Sequence, residues 1–117
     1  MSSIVIVLDK NNVSTRGIFE IHRILGLSAS DIRDKWSREE PIFERALFDG
    51  DYQHNAETLR ALLRVIEEEK LPCTIHEIPH GEIYRDNPNL NTFSIDIESL
   101  ENVLISADEE IMRQLDS

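Results

Sequence analysis

The stretch ETLRALLRVIEEEKLPCTIHEI, residues 57–78, holds two hydrophobic periods in one run. Leu59, Leu62, Leu63 and Ile66 fall at i, i+3, i+4 and i+7, the spacing of a helix with one apolar face. Arg60, Arg64, Glu67 and Glu68 fall on its wet side. The pattern predicts a helix from about Asn55 to Lys70. Leu71-Pro72 ends it, because proline lacks the backbone N–H and crowds the turn before it. CTIHEI (73–78) then reads as a strand.

The rest of the chain supplies partners for that pair. IVIVL (4–8) is a β-branched run, the mark of a buried strand, and DKNN (9–12) is a turn. Ser14 is placed to cap a helix carrying Ile18, Ile21 and Leu25. Gly26 supplies the left-handed stop, with Leu27 set to pack back. Ser28 and Asp31 form an S-x-x-D start for a second helix, with Ile32 and Trp36 on its inner side. Pro41 follows, IFERALF (42–48) reads as a strand and DGD (49–51) as a turn. The order over residues 1–78 is β-α-α-β-α-β.

Residues 79–91, PHGEIYRDNPNLN, are loop-like. TFSIDI (92–97) alternates as an edge strand or extended arm would, yet Ile97, Leu100, Val103 and Leu104 also fit a helix. Ser106 and Glu109 match a capping box, which predicts a short last helix carrying Ile111, Met112 and Leu115. The expected fold is α+β: a small antiparallel three-stranded sheet with helices on one face, plus an acidic extension, 79–117, packed on the same domain.

LGLSASDIRDKW, Pro41 with the strand after it, and ETLRALLRVIEEEKLPCTIHE carry a resemblance over about two thirds of the chain. In motif and element order, residues 1–78 resemble the C-terminal domain of the bacterial ribosomal stalk protein. The N-degron adaptor of the Clp protease is similar in shape, its opening strand and turn being like IVIVLDKNN. The resemblance implies a docking surface on the first two helices, at Ser14, Thr15, Ile18, Phe19, His22, Ser30 and Arg33. Of these, Arg33 alone carries a fixed positive charge, which points away from a ribosomal protein. An adaptor or translation-linked role for that corner would use Phe19, His22 and Arg33.

Charge narrows the partners. The chain of 117 residues has a formal net charge of −11. Residues 1–76 carry a net of −3, and residues 77–117 carry −8, with Arg85 and Arg113 their only fixed cations. Such a chain repels nucleic acid, whose affinity comes from lysine and arginine, and attracts a basic protein. The lone Cys73 fits a reducing compartment. With no membrane-length apolar run, a cytoplasmic, bacterial protein is expected.

Catalytic and metal signatures are weak. Cys73, His76 and His80 make C-x-x-H-x-x-x-H, but in a strand Cys73 and His76 point to opposite faces, and zinc needs three or four convergent ligands. Core packing for Cys73, with the histidines at a strand end, is the simpler reading. Runs such as Glu67-Glu68-Glu69 fit solvated helix faces, and no phosphate-binding glycine motif occurs. No enzyme, cofactor or metal is therefore expected.

The function expected is protein binding. An acidic inhibitor or immunity protein would neutralise a basic toxin such as a nuclease. Asp86, Asp96, Glu98, Glu101, Asp108, Glu109 and Glu110 would meet the partner's lysines and arginines, with Tyr84 and Phe93 as aromatic anchors, although Tyr84, Phe93, Ile95, Ile97, Leu100, Val103 and Leu104 also suit a cover over an open face of the small sheet. Homo-oligomerisation through 92–104 is a further alternative, and the expected state is a monomer or weak homodimer.

Overall fold

The computed structural model describes residues 2–48 and 50–115. Ile4 to Leu8 are all buried, so their strand, β1 (Ser3–Leu8), is covered on both faces. It lies between β2 (Phe43–Ala46) and β3 (Cys73–Ile78), and β4 (Ser94–Ile95) completes an antiparallel sheet of order β2-β1-β3-β4. The register sets Phe43, Ile6, Ile75 and Ile95 in one row across the four strands.

The four helices pack on the face that Ile4, Ile6 and Leu8 present. They are α1 (Thr15–Leu25), α2 (Ala29–Ser37), α3 (Tyr52–Glu68) and α4 (Ile97–Leu115). They contribute Ile18 and Ile21, Ile32 and Trp36, Leu59, Leu62, Leu63, Val65 and Ile66, and Leu100 with Leu104. Trp36 is wholly buried, and its indole N–H donates to the Asp9 carbonyl at 2.9 Å, tying α2 to the turn after β1. The second face is narrower. Val5, Val7 and Ile78 lie under Tyr84, Leu90 and Phe93 from the connection between β3 and β4.

The helix ends follow their capping chemistry. The Ser14 hydroxyl accepts from the Gly17 N–H at 3.0 Å and the Ser28 hydroxyl from Asp31 at 3.1 Å, each satisfying a first-turn donor. Gly26 closes α1 at φ +74°, its N–H on the His22 carbonyl at 2.9 Å. A residue with a Cβ is disfavoured there.

Several expectations need correction. The three-stranded sheet gains β4, and β4 spans two residues, not 92–97, because Leu90–Phe93 winds into a 3₁₀ turn. The helix expected from Asn55 begins at Tyr52, because the Asp51 carboxylate accepts from the His54 N–H at 3.1 Å and caps the turn. The short last helix does not start at Ser106. Asp96 holds the Ser99 N–H at 2.7 Å and starts α4 ten residues earlier. With no glycine or proline from Ile97 to Leu115, the helix runs through Ser106 unbroken. His76 is in mid-strand, not at a strand end, and Arg60 is only half-exposed because α4 lies over it. Residues 79–115 thus cover both faces of the sheet, their loop on one and their helix on the other.

Candidate protein-docking surface

α4 places two lines of side chains side by side. Leu100 and Leu104 face inward and are buried. About two and three turns past Leu104 the same line reaches Ile111 and Leu115, which are 39% and 74% exposed. A second line, spaced three or four residues apart, joins Glu98, Glu101, Ile105, Glu109 and Met112 on the outer face. Ile105 and Met112 are 52% and 58% exposed. Large apolar side chains set among carboxylates are the composition of a contact surface, an apolar centre with a polar rim.

Between α3 and α4 lies a groove of about 320 Å³, lined by Arg60, Leu63, Arg64, Glu67, Glu101 and Ile105. One end is fixed by polar contacts. The Arg60 guanidinium pairs with the Asp108 carboxylate, both side chains being half-exposed. The Tyr52 hydroxyl lies 3.2 Å from the other Asp108 oxygen and 3.4 Å from the Leu104 carbonyl. Burial, then the Asp108 charge, pushes the Tyr52 phenol pKa up, so it stays protonated and can donate. Phe48 stacks on Tyr52 with ring centroids 5.1 Å apart.

The structure separates the carboxylates expected to act together. Glu98, Glu101 and Glu109 share the outer face of α4. Asp108 is taken up by Arg60 and Tyr52. Glu110 falls on another side of the helix, paired with Arg113 at 2.8 Å. Asp96 caps the helix, and hydrogen bonds from the Ser99 side chain first and then from the Ser99 backbone N–H lower its carboxyl pKa. Asp86 is exposed on the loop over the second face. Tyr84 and Phe93, expected as anchors, are turned inward instead, half-buried over Val5, Val7 and Ile78, because the sheet's second face needs an apolar cover. Sequence reasoning missed Ile105, the place of Met112 on the outer face and the α3 side of the groove. The signal was the unbroken helical period from Ile97 to Ile111.

On the corner of α1 and α2, Phe19 is 58% exposed, and His22 and Arg33 are exposed as well. His22 Nδ1 lies 2.5 Å from the Leu27 carbonyl. Ser14 and Ile18 serve the cap and the core.

Cys73 and His76 do point to opposite faces. Cys73 packs against the helix-side core, where burial pushes its thiol pKa up. His76 is buried on the other face. Among the described residues, no group of three or more His, Cys, Asp or Glu comes together to hold a metal ion. No helix among them is long and apolar enough to cross a membrane.

No family model, no curated protein and no solved structure matches the chain.

Proposed function

We propose that this protein is a non-enzymatic binding module that docks a basic partner protein on the outer face of α4, as an immunity protein masks a basic toxin such as a nuclease. The observation that carries it is the composition of that one helix. Of the eight large apolar side chains exposed among the described residues, Ile105, Ile111, Met112 and Leu115 belong to α4. The outer face of the same helix bears Glu98, Glu101 and Glu109, while Asp108 is engaged by Arg60 and Tyr52 and Glu110 by the helix's single base, Arg113. Burying those apolar groups supplies affinity. The carboxylates steer a basic partner in and reject acidic ones. The lone Cys73 suits a cytoplasmic setting.

The test is the association rate of the natural partner, captured by affinity from the native cell, with the parent chain and with E98K/E101K/E109K/E110K. At low salt the variant should associate roughly tenfold or more slowly, and the gap should close as salt screens the charges. An equal rate at low salt removes the proposal.

Exposed Phe19 supports a second reading, an adaptor that binds through the corner of α1 and α2. It expects F19A or R33A to weaken binding and the α4 variant to leave it unchanged.

A further inference from the structure

We infer that the partner segment seated on this surface is a basic amphipathic helix lying along the groove between α3 and α4. The inference deepens the proposed function and rests on it.

The shape comes first. Glu98, Glu101, Ile105, Glu109 and Met112 form a line that rises about 20 Å along α4, at 1.5 Å per residue. The groove beside it presents Leu63 from α3 and Ile105 from α4. A valley between two packed helices offers side-chain rows at the three-and-four spacing into which a third helix interdigitates. An extended strand repeats every two residues and cannot stay in step with such rows.

Charge then selects among helices. On the α4 side Glu101 lines the groove, and Glu98 and Glu109 continue the same line of the helix beyond that lining. The α3 side carries Arg60, Arg64 and Glu67, and Arg60 is already engaged by Asp108. With Arg60 neutralised by Asp108 and Arg64 set against Glu67, the uncompensated charge is that of Glu101 and of its neighbours Glu98 and Glu109 along α4, so the occupant's flank toward α4 must be basic. A second copy of this chain is the wrong occupant. Paired antiparallel about Ile105, two α4 helices set Glu101 against Glu109. Paired parallel and in register, each glutamate meets its own copy. Like charges so placed disfavour association.

The experiment uses the full chain and a synthetic peptide of about 20 residues, long enough to hold a helix when docked, with leucines on one stripe and lysines on both flanks. Binding is read by fluorescence anisotropy and peptide helicity by circular dichroism. The peptide should bind and gain helicity. I105D and, separately, E98K/E101K/E109K should each weaken it by roughly tenfold or more. I83D, on the exposed loop over the other face, should leave it unchanged. A scrambled peptide of equal composition that binds as well, or I105D binding like the parent, overturns the inference. If the peptide fails to bind while the α4 charge reversal still slows the natural partner, the helix inference falls and the proposed function stands. If the natural partner ignores every α4 variant, the proposed function falls with it.

Discussion

Tyr84 stands edge-on to His76, with ring centroids 5.6 Å apart and planes at 61°. The contact fastens the long connection between β3 and β4 to the sheet. His76 projects from the middle of β3 beside Val5 of β1, and Tyr84 reaches it from above. Burial, then the charges of Glu39 and Glu44, pushes the Tyr84 phenol pKa up. The loop thereby covers one face of the sheet as the helices cover the other.

Replacing Tyr84 with alanine should open that face. Truncating a half-buried aromatic costs about 2 kcal/mol, near 8 °C in melting temperature for a chain of this size. Dye binding to exposed apolar surface should rise, because Val5 and Val7 lose part of their cover. Y84F keeps the ring and should retain most of the stability. Thermal melts of the two variants beside the parent decide it, and parity between Y84A and the parent would show that the loop is held elsewhere.

His76 makes folding pH-dependent. Its ring is buried, its Nδ1 has no hydrogen-bond partner among the described residues, and burial lowers its pKa from 6.5. The unfolded chain therefore takes up a proton at higher pH than the folded chain does. Stability from the neutral ring is fully present above pH 6.5 and is lost as pH falls from there through the folded pKa. Urea melts at pH 7.5 and about pH 5.5 should show a lower midpoint at the acid end, and H76L should flatten the difference. Asp96, also lowered, acts in the same direction but only near and below its ordinary value of 3.8. The two windows separate.

The front of the molecule was legible for local reasons. Five unbroken apolar residues in β1 required cover on both faces. Ser14, Gly26 and Ser28 each sit at a helix end whose backbone needs that side chain or that φ. α4 was not legible because two signals overlap: Phe93, Ile95 and Ile97 alternate like a strand, while Ile97, Leu100 and Leu104 repeat like a helix. Ser106-x-x-Glu109 matches a cap, but it can act only where the chain before it is not helical, and Asp96 had already started the helix. Arg60 read as a solvent residue because its partner Asp108 lies 48 positions away. The acids of the candidate surface were visible as charge. Which of them share a face depended on the helix register, so Ile105 went unseen and Met112 was placed only on a short last helix; Tyr84 and Phe93 read both as cover for the sheet and as anchors, and cover is what the second face required.

Gly17 is a packing glycine. A Cβ there would lie 2.9 Å from Trp36 Cη2 and 3.2 Å from Cζ3. Trp36 has little room to yield, being wholly buried with its indole N–H on the Asp9 carbonyl. Alanine would gain up to about 1 kcal/mol in helix propensity, against roughly 1–3 kcal/mol for overpacking. G17A should therefore melt several degrees below the parent, with indole fluorescence altered. A variant that melts higher would mean that α1 and α2 can part without loss.

Truncation after Asp108 should divide stability from docking. Of the apolar side chains removed, Ile111, Met112 and Leu115 are 39%, 58% and 74% exposed, so little buried area is lost. The Arg60–Asp108 pair is retained, and, half-exposed, it contributes at most about 1 kcal/mol in any case. The shortened helix still carries Leu100 and Leu104 into the core, so the melting temperature should stay within about 5 °C of the parent. Truncation before Ile97 is different in kind. It removes both leucines, each worth roughly 2–5 kcal/mol, and leaves α3 uncovered, so that chain should unfold or aggregate. Affinity for the natural partner, measured by titration calorimetry on the chain ending at Asp108, should drop at least tenfold with Met112 and Glu109 gone. A truncated protein that folds like the parent and binds as tightly would move the docking surface off the end of α4.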